Sequence, residues 1–182
     1  ARDTGGAFEG RKRRFGVDGH LGSVPNVGPE IMSGLEFLRR HQSDDGSWSF
    51  NNLGGGRDGY ANERAAIRSD TAATGLCLMC YLGAGYDHFD FGGEYTQEIQ
   101  GALKWLLDHQ REDGNLYVDL DPQSSASAAL YSHAIATMAL CEAYGMTKDP
   151  KIKAAAQKAI EFIEATQHPE RGGWRYVPGK SS

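Results

Sequence analysis

Three glutamines set the frame of this 182-residue chain, because the side chains before each follow one pattern in one register. Four residues before Gln42, Gln110 and Gln167 stand Leu38, Leu106 and Ile163, and seven before stand Leu35, Leu103 and Ile160. The position five before is always aromatic (Phe37, Trp105, Phe162), and the position eight before is always small (Gly34, Ala102, Ala159). Offsets of four and seven share one face of an α-helix, so each copy predicts an amphipathic helix ending at its glutamine.

Each glutamine is followed by a polar turn and a large side chain: SDDGSW to Trp48, REDGNL to Leu116 and HPERGGW to Trp174. The glutamines are 68 (110 minus 42) and then 57 (167 minus 110) residues apart, and unequal spacing through loop length suits a repeat array. From about residue 29 onward this pattern resembles the QW motif of the squalene-cyclase and prenyltransferase repeat proteins: a helix end, then Gln, then Gly-x-Trp. The first copy matches fully, the third carries one extra residue before Trp174, and the second has Leu116 in the Trp position. The resemblance implies an all-α chain forming part of an α/α toroid, a double ring of outer and inner helices. It also implies a structural role for Gln42, Trp48, Gln110, Leu116, Gln167 and Trp174. An amide suits that role, since it is a poor acid, base or nucleophile but can tie a helix end to a turn.

Between the glutamine helices lie two runs with little polar character, 71–82 and 132–144. Aligning Gly83 with Gly145 sets Thr71 opposite His133 and Leu78 opposite Leu140, which predicts two inner helices buried on every side. Ser69 or Asp70 can cap the first of them, and Asp149 with Pro150 is a cap and first-turn pair for the last helix. Pro29 suits the first turn of the first helix. The order is then outer, inner, outer, inner, outer: less than half of a six-hairpin ring. That count makes a fragment of a longer toroid, or an open arc that pairs with another copy, the expected state.

The domain is expected over 29–178, preceded by a tail over 1–28 with seven glycines and the basic cluster Arg11 to Arg14. Residues 43–68 form a long connection containing GGGRDGY, whose consecutive glycines oppose helix and strand. A net charge of −5 gives no reason to expect nucleic acid, and no apolar run approaches the roughly 20 residues a membrane span needs. Three cysteines do not make a disulfide framework, so a reducing compartment such as the cytoplasm is the milder inference.

The candidate chemistry gathers at the starts of the inner helices. Ser69-Asp70-Thr71-Ala72 resembles the end of the D-x-D-D-T-A motif with which squalene-hopene cyclases protonate an alkene, which makes Asp70 a candidate acid. Ile67 and Ser69 stand where further aspartates belong, so the acid motif is not intact and capping is the plainer role for Asp70. His133 is a candidate ligand or base, against a plainer reading in which backbone or hydroxyl groups satisfy it. Asp70, His133 and Cys141 offer the residue types of a prenyltransferase zinc site without its Asp-x-Cys spacing, so neither a metal nor a cofactor is expected. Thr71, Thr74, Tyr131, His133 and Thr137 are the candidate binding residues. Cys77 and Cys80 have CxxC spacing but sit in an apolar run, which predicts buried, reduced thiols. Asp87, His88 and Asp90, and Asp119 with Asp121, read as solvated turns. The expected partner is an apolar, isoprenoid-like small molecule or a protein, with a homo-oligomer as a further possibility. The chain is expected to be a non-catalytic module; the alternative is part of a cyclase or prenyltransferase-type enzyme.

Overall fold

The computed structural model describes residues 28–51, 67–119 and 124–177, so the GGGRDGY stretch, the basic cluster and Asp121 lie outside the described residues. Five α-helices account for the regular structure among these: α1 (Gly28–Arg40), α2 (Asp70–Gly83), α3 (Thr96–Asp108), α4 (Ala129–Thr147) and α5 (Pro150–Ala165). A 3₁₀ turn over Ala126–Ala128 leads into α4, and the described residues contain no strand. The described residues are all-helical in their regular structure, as the periodicity requires.

α2 and α4 form the central pair and make the most extensive helix contact among the described residues. Their close approach depends on Gly75, where an added Cβ would stand 3.1 Å from both the Cα and the N of Ala136. α3 packs against α2, and α5 against α4, while α1 touches α2 more lightly. Leu78, Leu82, Ile99, Leu106 and Leu140 are fully enclosed between these helices. Tyr81 is enclosed with them and donates its hydroxyl proton to the Leu35 carbonyl at 2.9 Å, which holds α1 to α2.

Local chemistry explains the helix ends. Ser69 is the N-cap of α2, its Oγ accepting from the Ala72 amide at 3.2 Å, so Asp70 is the first helical residue and not the cap. There its charge favours the helix dipole. Asp149 caps α5 through Lys151 N–H at 2.8 Å, with Pro150 following in the first turn. α4 closes on Lys148 in the left-handed region at φ 59°. It begins at Ala129, three residues ahead of the expected Ser132, because the 3₁₀ turn runs directly into it.

Three expectations need correction. α2 and α4 are not buried on every side: Leu76 and Met138, opposite each other in the Gly83/Gly145 alignment, are 40% and 60% exposed. Cys80 is exposed and Cys77 half-buried, so these thiols are not both sealed in the core. Absence of polar residues marked an apolar surface here rather than a second covered face. Asp87 and His88 are also buried rather than solvated. Asp87 accepts from Phe89 N–H at 2.8 Å, and the His88 ring meets Asp149 at 3.1 Å, fastening this loop to the start of α5.

Candidate functional site

The three glutamines act at the helix ends through a recurring set of hydrogen bonds. Gln42 Nε2 donates to its own turn at Gly46 O (2.9 Å) and to Glu98 O in α3 (2.9 Å). Gln110 Nε2 donates to Gly114 O (3.2 Å) and to Ala155 O in α5 (2.9 Å). Both accepting helices are met at one register, since Glu98 is 12 residues before Gln110 (110 minus 98) and Ala155 is 12 before Gln167 (167 minus 155). Gln167 Nε2 donates to Gly172 O at 2.7 Å across its own turn.

The turn glycines explain why the exits contain one. Gly46, Gly114 and Gly172 have φ of 92°, 90° and 69°, a region that L side chains disfavour. At the first two the neighbouring helix also lies directly over the glycine: a Cβ would fall 2.4 Å from Gly101 O or 2.1 Å from Lys158 O. A Cβ on Gly172 would meet nothing within 4 Å. Trp48 and Leu116 are 2% and 1% exposed, whereas Trp174 is 50% exposed. Trp48 and Trp174 nevertheless make the same bond, Nε1 donating to Leu38 O at 2.7 Å and to Ile163 O at 2.8 Å.

Sequence reasoning missed a further repeated element, the residue just before each glutamine. His41, His109 and Thr166 all bond the carbonyl of the aromatic residue four positions earlier: Phe37 O at 2.7 Å, Trp105 O at 2.8 Å and Phe162 O at 2.9 Å. The HQ, HQ, TQ series was the available signal, because each of these side chains can reach back one helical turn. Trp105 adds a bond between units, from Nε1 to Asp45 Oδ2 at 3.2 Å.

The candidate residues at the starts of α2 and α4 lie mostly inside the protein. Thr71, Thr74, His133 and Thr137 are buried. Thr74 Oγ1 accepts from Trp48 N–H at 3.0 Å. Thr71 Oγ1 donates to Leu116 O at 3.2 Å and accepts from Val118 N–H at 3.0 Å. His133 Nδ1 accepts from Leu116 N–H at 3.0 Å, so the proton resides on Nε2, which donates to Ala159 O at 3.0 Å. Thr137 completes the set by donating to His133 O at 2.8 Å. Burial holds the imidazole below its ordinary pKa, opposed in part by its bond to Ala159. These side chains fasten the segments after the turns to the central helices, and a neutral imidazole is what that fastening requires.

Tyr131 stands apart from them, 61% exposed and 5.6 Å from the ring of Tyr176. With Leu130, Ala134, Ile163, Trp174 and Arg175 these two rings line a cavity of about 670 Å³ between α4, α5 and the last turn. Asp70 is half-buried at the start of α2. Burial raises the Cys77 thiol to about 12, and partial desolvation of the sulfur raises Cys141 and, although the residue as a whole is exposed, Cys80, which keeps all three from being thiolates near neutral pH. Among the described residues no three His, Cys, Asp or Glu side chains are grouped to hold a metal ion. No helix there is long and apolar enough to cross a membrane. Comparison with known protein families, curated proteins and solved structures finds no match to this chain.

Proposed function

We propose that the chain is a squalene-cyclase- or prenyltransferase-like repeat module, an arc of an α/α toroid, that binds an apolar, isoprenoid-like ligand on the face shared by α2 and α4. The observation that carries this reading is the exposure of Leu76 and Cys80, four residues apart and so on one side of α2, and of Met138 on α4, two residues from the Gly75–Ala136 contact. Apolar side chains exposed together on packed helices mark a binding surface more often than scattered single ones do. The glutamine latches support the arc, since they carry each unit onto the next at a fixed register.

The module acts by binding rather than by chemistry in this reading. Protonating an alkene demands a clustered acid, and Ile67 and Ser69 flank Asp70 where carboxylates would be needed. His133, the other candidate, has both ring nitrogens committed to backbone groups. A fluorescent polyprenyl alcohol titrated into the chain tests the site. Binding is expected, and its loss in the Leu76→Lys, Met138→Lys double variant, whose melting stays close to that of the parent because both positions are exposed. Equal binding by the variant would move the site elsewhere. Incubation with a polyprene should return no cyclic product; product that disappears in Asp70→Asn at an unchanged melting temperature would overturn the non-catalytic reading.

A further inference from the structure

Cys77 and Cys80 lie three residues apart within α2, on consecutive turns of one side of the helix. Residues at that spacing hold their Cβ atoms about 5–6 Å apart. The sulfurs are close enough for Cys80 to act electrostatically on Cys77. Cys80 is exposed, whereas Cys77 is half-buried and packed against the core, so the pair has one thiol open to solvent and one behind it. A disulfide needs Cβ atoms about 3.5–4.5 Å apart, which a regular helix denies at this spacing. A bridge longer by one atom, sulfur–metal–sulfur, spans the gap with the helix intact.

We propose that Cys77 and Cys80 form a two-coordinate site for a soft monovalent metal ion, copper(I). The donors select the ion. Soft sulfur ligands take copper(I), zinc or an iron–sulfur cluster. Zinc sites draw on three or four protein ligands and iron–sulfur clusters on four. Among the described residues no third His, Cys, Asp or Glu joins this pair, and Cys141 on α4 is no exception. Copper(I), a closed-shell ion of low charge, is satisfied by two sulfurs in line. Both S–H protons leave to solvent as the two Cu–S bonds form, so the neutral pair and Cu⁺ become a bis-thiolate complex with a single negative charge and no change of oxidation state. Exposed Cys80 is the entry point, capturing the ion before it closes onto Cys77. The site does not require the apolar ligand proposed for Leu76 and Met138.

The experiment titrates the reduced chain under argon with copper(I) held by a coloured chelator, bicinchoninate, and reads the ion's transfer to the protein together with the native mass. No polyprene is present, so the result is independent of that ligand. One copper per chain is expected, with no metal-bridged dimer and with the helical circular dichroism unchanged. Cys77→Ser and Cys80→Ser are each expected to weaken binding by about a hundredfold or more, since each leaves a single thiolate. Cys80 is exposed, so Cys80→Ser folds as the parent does and keeps the test valid even if Cys77→Ser is unstable. Cys141→Ser is expected to bind as the parent. Both thiols are protonated at neutral pH, so affinity should rise about tenfold for each proton released, or about a hundredfold per pH unit, once the chelator's own titration is subtracted. Equal binding by Cys80→Ser, a complex of two chains per copper, or affinity independent of pH overturns the site. Zinc held as tightly as copper(I) overturns the assignment to a two-donor ion.

Discussion

A glutamine amide at a helix end can be worth more than its exposure suggests when the carbonyls it satisfies have no other donor. Gln110 bonds two carbonyls, one of them in the next helix, whereas Gln167 bonds its own turn from an exposed position. Replacing Gln110 with Ala is expected to cost about 1–3 kcal/mol, and Gln167→Ala about 0.5 kcal/mol or less, measured by denaturant unfolding. Comparable losses at the two sites would show that the bond between units contributes little. His133 makes a prediction of opposite kind, set by pH. Its folded-state pKa lies below the ordinary value of 6.5, so the unfolded chain takes up the proton first as pH falls. The stability this residue contributes is therefore complete above about pH 6.5 and declines below it. Melting temperatures from pH 7.5 to 5 should fall for the parent and change less in His133→Asn, which carries no titrating ring. Parallel curves would remove His133 as the cause.

At the scale of elements, the crossing of α2 and α4 depends on one missing side chain. Gly75 lowers the helix propensity of α2, yet its position allows the backbones to meet where a Cβ would already stand 3.1 Å from Ala136. Gly75→Leu is expected to destabilise the protein by about 1–3 kcal/mol or more through overpacking, despite the better propensity of leucine. A melting temperature equal to the parent's would show that the central pair can part without loss. The start of α2 is more tolerant. With Ser69 rather than Asp70 as the cap, Asp70→Asn removes a first-turn charge and is expected to cost less than about 1 kcal/mol, while Ser69→Ala costs about 1 kcal/mol. The reverse order in thermal melts would return the capping role to Asp70.

For the whole molecule, what was legible in the sequence is what local chemistry specifies: helical periodicity, three glutamine copies in one register, the turn glycines, and the Asp149–Pro150 start of α5. These follow from backbone sterics and short-range hydrogen bonding, so neighbours along the chain carry them. Tertiary structure decided which apolar surfaces are covered. The runs 71–82 and 132–144 read as wholly buried because nothing polar interrupts them, but burial depends on a neighbour being present, and none among the described residues covers Leu76 or Met138. The same reason separates Trp174 from Trp48. Their local sequences are alike and each donates its indole proton one helix end back, yet the packing of other helices encloses one ring and leaves the other half in solvent. It also decided the state of His133: the sequence allowed a ligand or a base, and the approach of Leu116 and Ala159, 17 residues before it and 26 after, closed both ring nitrogens onto backbone groups.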